Sequence, residues 1–165
     1  MNLCTWEADD WLEFRAIAAD PQVMRYIGDG APWPEERARR FVERQIELFV
    51  ERGFCLWKLV PRLPDAGGGL IGFCGLQPLP LVEGQEIEIG WWLARACWGR
   101  GLATEAARVA LRDGFERVGL PRIVAIAQPA NTASIGIMRK LGMHFERITE
   151  PRGIPVALYA CGAGS

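Results

Sequence analysis

The residues best suited to chemistry fall in two clusters. The first is Trp98-Gly99-Arg100-Gly101-Leu102-Ala103-Thr104, where a strand gives way to a helix. A helix N-terminus leaves about four backbone N–H groups unpaired and carries partial positive charge. Glycines let an anion approach that backbone closely, so the turn suits a pyrophosphate, with Arg100 adding charge at the rim. The same glycines would also serve a plain tight turn. The second cluster is Asn131-Thr132-Ala133-Ser134, with Asn131 as a helix N-cap and Ser134 in the first turn. A well-capped helix alone would account for it. Elsewhere Glu86 and Glu88 alternate with Ile87 and Ile89, which puts both carboxylates on one face of a strand. Cys97 precedes the glycine-rich turn, where a thiolate would be stabilised.

Several chemistries are excluded or disfavoured. No Gly-Lys-Ser/Thr follows the first glycine, so the turn is not a Walker loop. The third glycine of the dinucleotide fingerprint is missing too. A single histidine, His144, argues against a histidine metal site or a Ser-His-Asp triad. Five scattered cysteines without a CxxC read as free thiols in a reducing compartment, and no metal is expected. The formal charge of −1 gives no basic field for nucleic acid. No apolar run reaches the ~18 residues of a membrane span, and MNLCTWEADDWLEF lacks the order of a signal peptide. A cytoplasmic location is the expectation.

The elements that must position these residues are legible in outline. With 165 residues, 50% of them hydrophobic and 24% charged, the chain is expected to fold as one domain over 1–165. Leu3 to Trp6 suggests a short strand. Asp9 to Ala19 carries Trp11, Phe14 and Ala18 at helical spacing and ends at Asp20-Pro21. A stronger helix starts at Pro34, has Glu35 and Glu36 in its first turn and stops at Gly53. Its expected buried stripe is Ala38, Phe41, Val42, Ile46 and Phe49. Phe54 to Val60 and Leu70 to Leu79 then read as a hairpin around the loop PRLPDAGGG. Glu86 to Leu93 is a third strand, interrupted by Gly90, a position that suggests a bulge. A helix follows the turn to about Val118, with Ala103, Ala106, Ala107, Ala110, Leu111 and Phe115 inward. Arg122 to Ala127 reads as a buried parallel strand. A helix from Asn131 to Gly142 and strands at Met143 to Ile148 and Val156 to Cys161 complete the chain. This order predicts an α/β (α+β) fold with a mixed, mostly antiparallel sheet flanked by helices.

WGRGLATEA and PANTASIGIMRKLGMHFE together resemble the GCN5-related N-acetyltransferase superfamily, specifically its ribosomal-protein N-terminal acetyltransferase branch. LCTWEADD, DPQVMRYIG and EIEIGWWLARACWGRG extend the likeness over nearly the whole chain. The resemblance implies the single-domain acyl-CoA N-acyltransferase fold and acetyl-CoA as cosubstrate. It places the pyrophosphate on Gly99 through Thr104, the pantetheine along Trp91, Trp92 and Leu93, and Asn131 against the pantetheine arm. Trp98 is usual in that branch. Met138 stands where many members carry a tyrosine that protonates the departing thiolate, so Ser134 or water must supply that proton. Cys4 stands where an arginine is frequent, which suggests a truncated first strand.

Acetyl transfer needs a neutral amine. At pH 7, deprotonating an α-amino group of pKa ~8 costs about 1.4 kcal/mol, against about 4.6 for a lysine near ~10.4. A peptide N-terminus therefore asks less of a base. Glu88 is the first candidate for that base. Glu86 could raise the Glu88 pKa by like-charge proximity, and Glu150 is a further candidate by family analogy. A backbone N–H released by a bulge at Gly90 to Trp92 would serve the oxyanion. An acetyl-cysteine on Cys97 is the competing route. The acceptor is expected to be a primary amine, on a peptide N-terminus or a small molecule. The alternatives are a non-catalytic acyl-CoA-binding module, motivated by Met138, and a nucleotide-binding domain. Acceptor choice is assigned to the loops Gly28 to Trp33 and Glu150 to Pro155, Trp33 being a candidate groove residue. The oligomeric state stays open, a homodimer included.

Overall fold

The computed structural model describes residues 1–62, 69–81 and 84–163. Most of the loop expected after Val60 therefore lies outside the described residues. The elements are β1 (Asn2–Cys4), α1 (Trp11–Ala18), α2 (Pro21–Met24), α3 (Glu35–Arg52), β2 (Leu56–Val60), β3 (Gly72–Leu81) and β4 (Gly84–Leu93), followed by α4 (Leu102–Glu116), β5 (Arg122–Ala127), α5 (Thr132–Lys140), β6 (His144–Thr149) and β7 (Val156–Gly162). The strands form one seven-stranded sheet in the order β1-β2-β3-β4-β5-β7-β6. Among the described residues only β4 and β5 run parallel. This is the mixed, mostly antiparallel sheet with flanking helices that the sequence predicts.

Local chemistry explains most boundaries. Gly53 adopts a left-handed conformation (φ 72°) that ends α3 and lets its N–H reach the Phe49 carbonyl. Asp20 caps α2 by accepting from the Gln22 N–H at 2.8 Å. DPQVMRYIG is therefore a separate short helix and turn after α1. The expected first helix begins later, at Trp11, behind a 3-10 turn over Ala8–Asp10. The first strand is three residues long and ends at Cys4. Trp6 leaves it for the core, where its indole donates to the Leu56 carbonyl.

The buried stripe of α3 differs from the expected one. Ala38, Val42, Gln45 and Leu48 are buried, Phe41 and Ile46 half-buried, and Phe49 is 37% exposed. The physical reason is Gln45. Its amide oxygen accepts from the Leu56 N–H at 3.0 Å, so the helix turns a polar side chain inward to satisfy the start of β2.

An aromatic cluster fills the core on the α1 and α3 face of the sheet. Phe14 stacks on Phe41 at 4.8 Å, and Phe73 meets Trp92 at 5.0 Å. On the other face, the alanines of α4 allow close approach to the sheet. A Cβ added at Gly114 would lie 2.8 Å from the Ile123 and Leu76 methyls. One added at Gly75 would lie 2.1 Å from the Cys55 carbonyl oxygen, which is backbone and cannot swing aside. Gly75→Ala should therefore cost about 3 kcal/mol and Gly114→Ala about 1. Urea unfolding of the two variants checks the order, and equal losses would contradict it.

Candidate functional site

The site is built on a divergence of two strands. Leu76 N–H donates to the Cys55 carbonyl in the chain entering β2, and Ala94 N–H to the Ile71 carbonyl. Backbone alternation then aims the peptide groups of Gly90 and Trp92 at β3 and those of Ile89, Trp91 and Leu93 towards β5. Among the described residues, the ladder between β4 and β5 is one pair, Glu88 with Val124. Beyond it β4 runs on to Leu93, so the amide of Trp91 faces a gap. The bulge expected at Gly90 is absent from the β3–β4 ladder, which runs from Gly72–Leu93 to Leu81–Gly84 without a shift. The peptide is released by strand divergence instead. The register shift seen in the sheet lies between Phe145 and Arg147, against β7.

Two cavities meet at this gap. The first, about 410 Å³, runs from Trp91 and Leu93 past Cys97 to the N-terminus of α4. Gly99 (φ 72°) and Gly101 (φ 77°) turn the chain there, with open space where a Cβ would stand. Gly101 occupies the N-cap position and no side chain caps the helix, so the first amides, from Leu102 to Thr104, line the cavity bare. The Trp98 indole donates to the Leu93 carbonyl at 2.8 Å, fastening the turn to the end of β4. The lining also includes Arg25, stacked 5.1 Å from the Tyr26 ring, and Lys140.

The second cavity, about 550 Å³, lies between α3 and the exposed face of β3 and β4. Glu88 opens into it although only 8% of the residue is accessible. Gln77, its cross-strand neighbour, donates from Nε2 to Glu88 Oε1 at 2.5 Å and fixes the carboxylate. Tyr26, Trp91, Trp92, Asn131 and Ser134 border both cavities. Asn131 Oδ1 accepts from the Ser134 N–H at 3.2 Å, so the cap holds the first turn of α5 at the junction. Glu86 is engaged elsewhere. It pairs with Arg122 at 3.3 Å, and Arg122 also grips Glu146 through two bonds of 2.6 Å. Those bonds hold the Glu146 carboxyl below the usual range. Their stabilisation is present at neutral pH and fades as acid protonates Glu146.

A family model described as an acetyltransferase (GNAT) domain matches residues 1–144. The chain belongs to the GNAT acetyltransferase family. It is 32% identical over 141 residues to the N-acetyltransferase YnaD of Bacillus subtilis, covering 86% of this chain and 77% of that one. A GNAT-family acetyltransferase from Bacillus anthracis has the same fold, with TM-score 0.78 and 26% identity over 99% of this chain and 95% of its own. The Salmonella typhimurium acetyltransferase yncA, solved with its cofactor acetyl-CoA, shares the fold at TM-score 0.74 and 15% identity, over 100% and 95% of the two chains.

In this acetyltransferase the sequence-derived candidates separate into groups. Trp91, Trp92, Leu93, Gly99, Gly101, Leu102, Ala103, Thr104, Asn131 and Ser134 line the first cavity, whereas Arg100 stands exposed outside it. Glu88 and Ser134 border the second cavity together. Glu86 is withdrawn by Arg122 and does not oppose Glu88, and Glu150 is exposed and outside both cavities. Met138 is buried in the core, so no phenol stands at that position. Trp33 lines the second cavity and packs on Trp92 at 4.8 Å. Sequence reasoning missed Tyr26, Gln77 and the arginines of α3. The alternation of β3 could have flagged Gln77 as a polar residue facing Glu88. Nothing local marked Tyr26, which the turn after α2 delivers.

The thiols provide a probe of the first cavity. Burial pushes the Cys55 thiol up to about 12 and raises that of Cys74 too, so both stay protonated and unreactive at neutral pH. Cys4 and Cys97 are half-buried. In native protein at pH 7.5, iodoacetamide should label Cys4 and Cys97 and spare Cys55 and Cys74. Acetyl-CoA should protect Cys97 while leaving Cys4 reactive. Peptide mass spectrometry reads both, and unchanged Cys97 labelling would place the ligand elsewhere.

Proposed function

We propose that this acetyltransferase moves the acetyl group of acetyl-CoA directly to a primary amine in a ternary complex, with residues 1–165 acting as one N-acetyltransferase domain. The observation that carries this reading is the meeting of two cavities at the β4–β5 gap. One ends at the bare amides of α4 and the other holds Glu88.

Each residue has a distinct task in this scheme. The amides of Leu102, Ala103 and Thr104, at the positive end of α4, receive the pyrophosphate. The pantetheine extends along Trp91, Trp92 and Leu93, taking the place of the missing strand partner beside the outward peptide groups of Trp91 and Leu93, and Asn131 borders its arm. The Trp91 N–H, which faces the gap, would donate to the thioester oxygen as it gathers negative charge. Glu88, aimed by Gln77, accepts the amine proton directly or through water. Ser134 protonates the departing thiolate. Tyr26 is the other hydroxyl bordering both cavities. Glu88 stands in the acceptor cavity and Cys97 in the cofactor cavity, an arrangement that favours direct attack over an acetyl-cysteine.

The acceptor amine belongs to a peptide N-terminus or a small molecule. Trp98 supports placement in the ribosomal-protein N-terminal acetyltransferase branch. Glu88→Gln should lower kcat by about 10²–10⁴-fold while leaving acetyl-CoA affinity within about twofold. Ser134→Ala should lower kcat by about 10²-fold. Thiol release measured across an amine panel, with calorimetry for acetyl-CoA, tests both. Full turnover in Glu88→Gln would remove it as the base.

A further inference from the structure

The second cavity is electrically polarised. Among the described residues, its ionisable lining consists of Glu88 at the β4–β5 gap, Tyr26, and three arginines of α3: Arg37, Arg40 and Arg44. The spacing of the arginines, three and then four residues, puts all of them on one helix face. Two are already matched by carboxylates. Arg40 pairs with Glu36 at 3.7 Å, and Arg44 with Glu47 at 3.2 Å and Glu51 at 3.5 Å. Arg37 forms no ion pair among the described residues.

Arg37 is nonetheless held in place. Its guanidinium lies 4.3 Å from the centre of the Trp33 ring, and Trp33 packs edge-on against Trp92 at 4.8 Å. Trp92 borders the gap where the two cavities join. A guanidinium stacked on a ring keeps its N–H edge available, and that edge matches a carboxylate through two parallel hydrogen bonds. One organised cation without an anion, facing the cavity that holds the proposed base, is a receptor for one negative charge.

We propose that the amine acceptor carries a carboxylate, which Arg37 binds while the amine lies at Glu88. The inference rests on the acetyl-transfer reading above and specifies the substrate class for that site. The acceptor has its nitrogen at the acidic end of the groove and its anion at the basic end. Arg40 and Arg44 are offset by their own carboxylates, so Arg37 supplies the charge that draws the anion towards α3. A polycationic amine is excluded in the same way, because its second charge would face Arg37.

The test uses matched acceptors that differ in one charge: the peptide pair Ala-Asp-Ala-amide and Ala-Asn-Ala-amide, and the small pair 4-aminobutyrate and 4-aminobutyramide. In the wild-type protein, kcat/KM for the carboxylate member of at least one pair should exceed its neutral partner by about 10-fold. Raising salt should shrink that ratio. Arg37→Gln should bring the ratio to about 1 through KM, and Arg37→Lys should restore part of it. Arg39→Gln, on the far side of α3 and paired with Glu43, should keep the ratio. Calorimetry of the same four compounds on the CoA-bound protein reads the preference without turnover. Equal use and equal binding of both members, or an equal loss for both in Arg37→Gln, would overturn the proposal while leaving acetyl transfer intact. Carboxylate-selective binding through Arg37 with no acetylation of any compound would instead uphold it and count against the transfer reading.

Discussion

The separation of two parallel strands is the constraint on which the rest of the structure depends. β4 and β5 are joined at Glu88 and Val124 and then part. A sheet that opens in its middle loses main-chain hydrogen bonds, and buried peptide groups need other partners. The fold responds in two ways. It seals the far sides of both strands, through the uninterrupted β3–β4 ladder and six pairs between β5 and β7. It also leaves the gap accessible from both faces of the sheet, so one opening serves two cavities. The same parting that weakens the sheet supplies directed hydrogen-bonding groups in a concave setting.

The helices around the gap have different electrostatic jobs. α4 enters with uncapped amides and glycines before it, so its positive end faces the cavity. α5 enters with Asn131 satisfying the Ser134 amide, so its first turn is neutralised and held still. One helix offers unsatisfied donors and the other offers a fixed hydroxyl. α3 presents guanidinium groups to the second cavity, where its buried glutamine also orders the start of β2.

Elements set by local periodicity were legible in the sequence. Arg122 to Ala127 is a strand with the expected ends, and the alanine face of α4 is buried as expected, apart from a half-buried Phe115. Features set by long-range pairing were not. Gly90 looked like a bulge because a glycine interrupts an alternating strand. Yet nothing local reveals that β5 stops following β4, since that depends on the α4 crossover. Glu86 and Glu88 looked equivalent, two residues apart on one face. Their environments are separated by Gln77 and Arg122, which come from neighbouring strands. Phe49 looked like a core residue because hydrophobic spacing cannot anticipate a glutamine drawn inward by an unpaired strand amide.

The hydrogen bond from the Trp98 indole to the Leu93 carbonyl has a geometric consequence. It makes the glycine turn before α4 and the strand gap parts of one gauge. A flexible tether between them would accept ligands of many lengths. A fixed one measures the reach between a ligand's charged end and its reactive end, and rejects molecules cut too short or too long. Under the proposed acetyl transfer, selection among thioesters is in this way set by span as well as by charge.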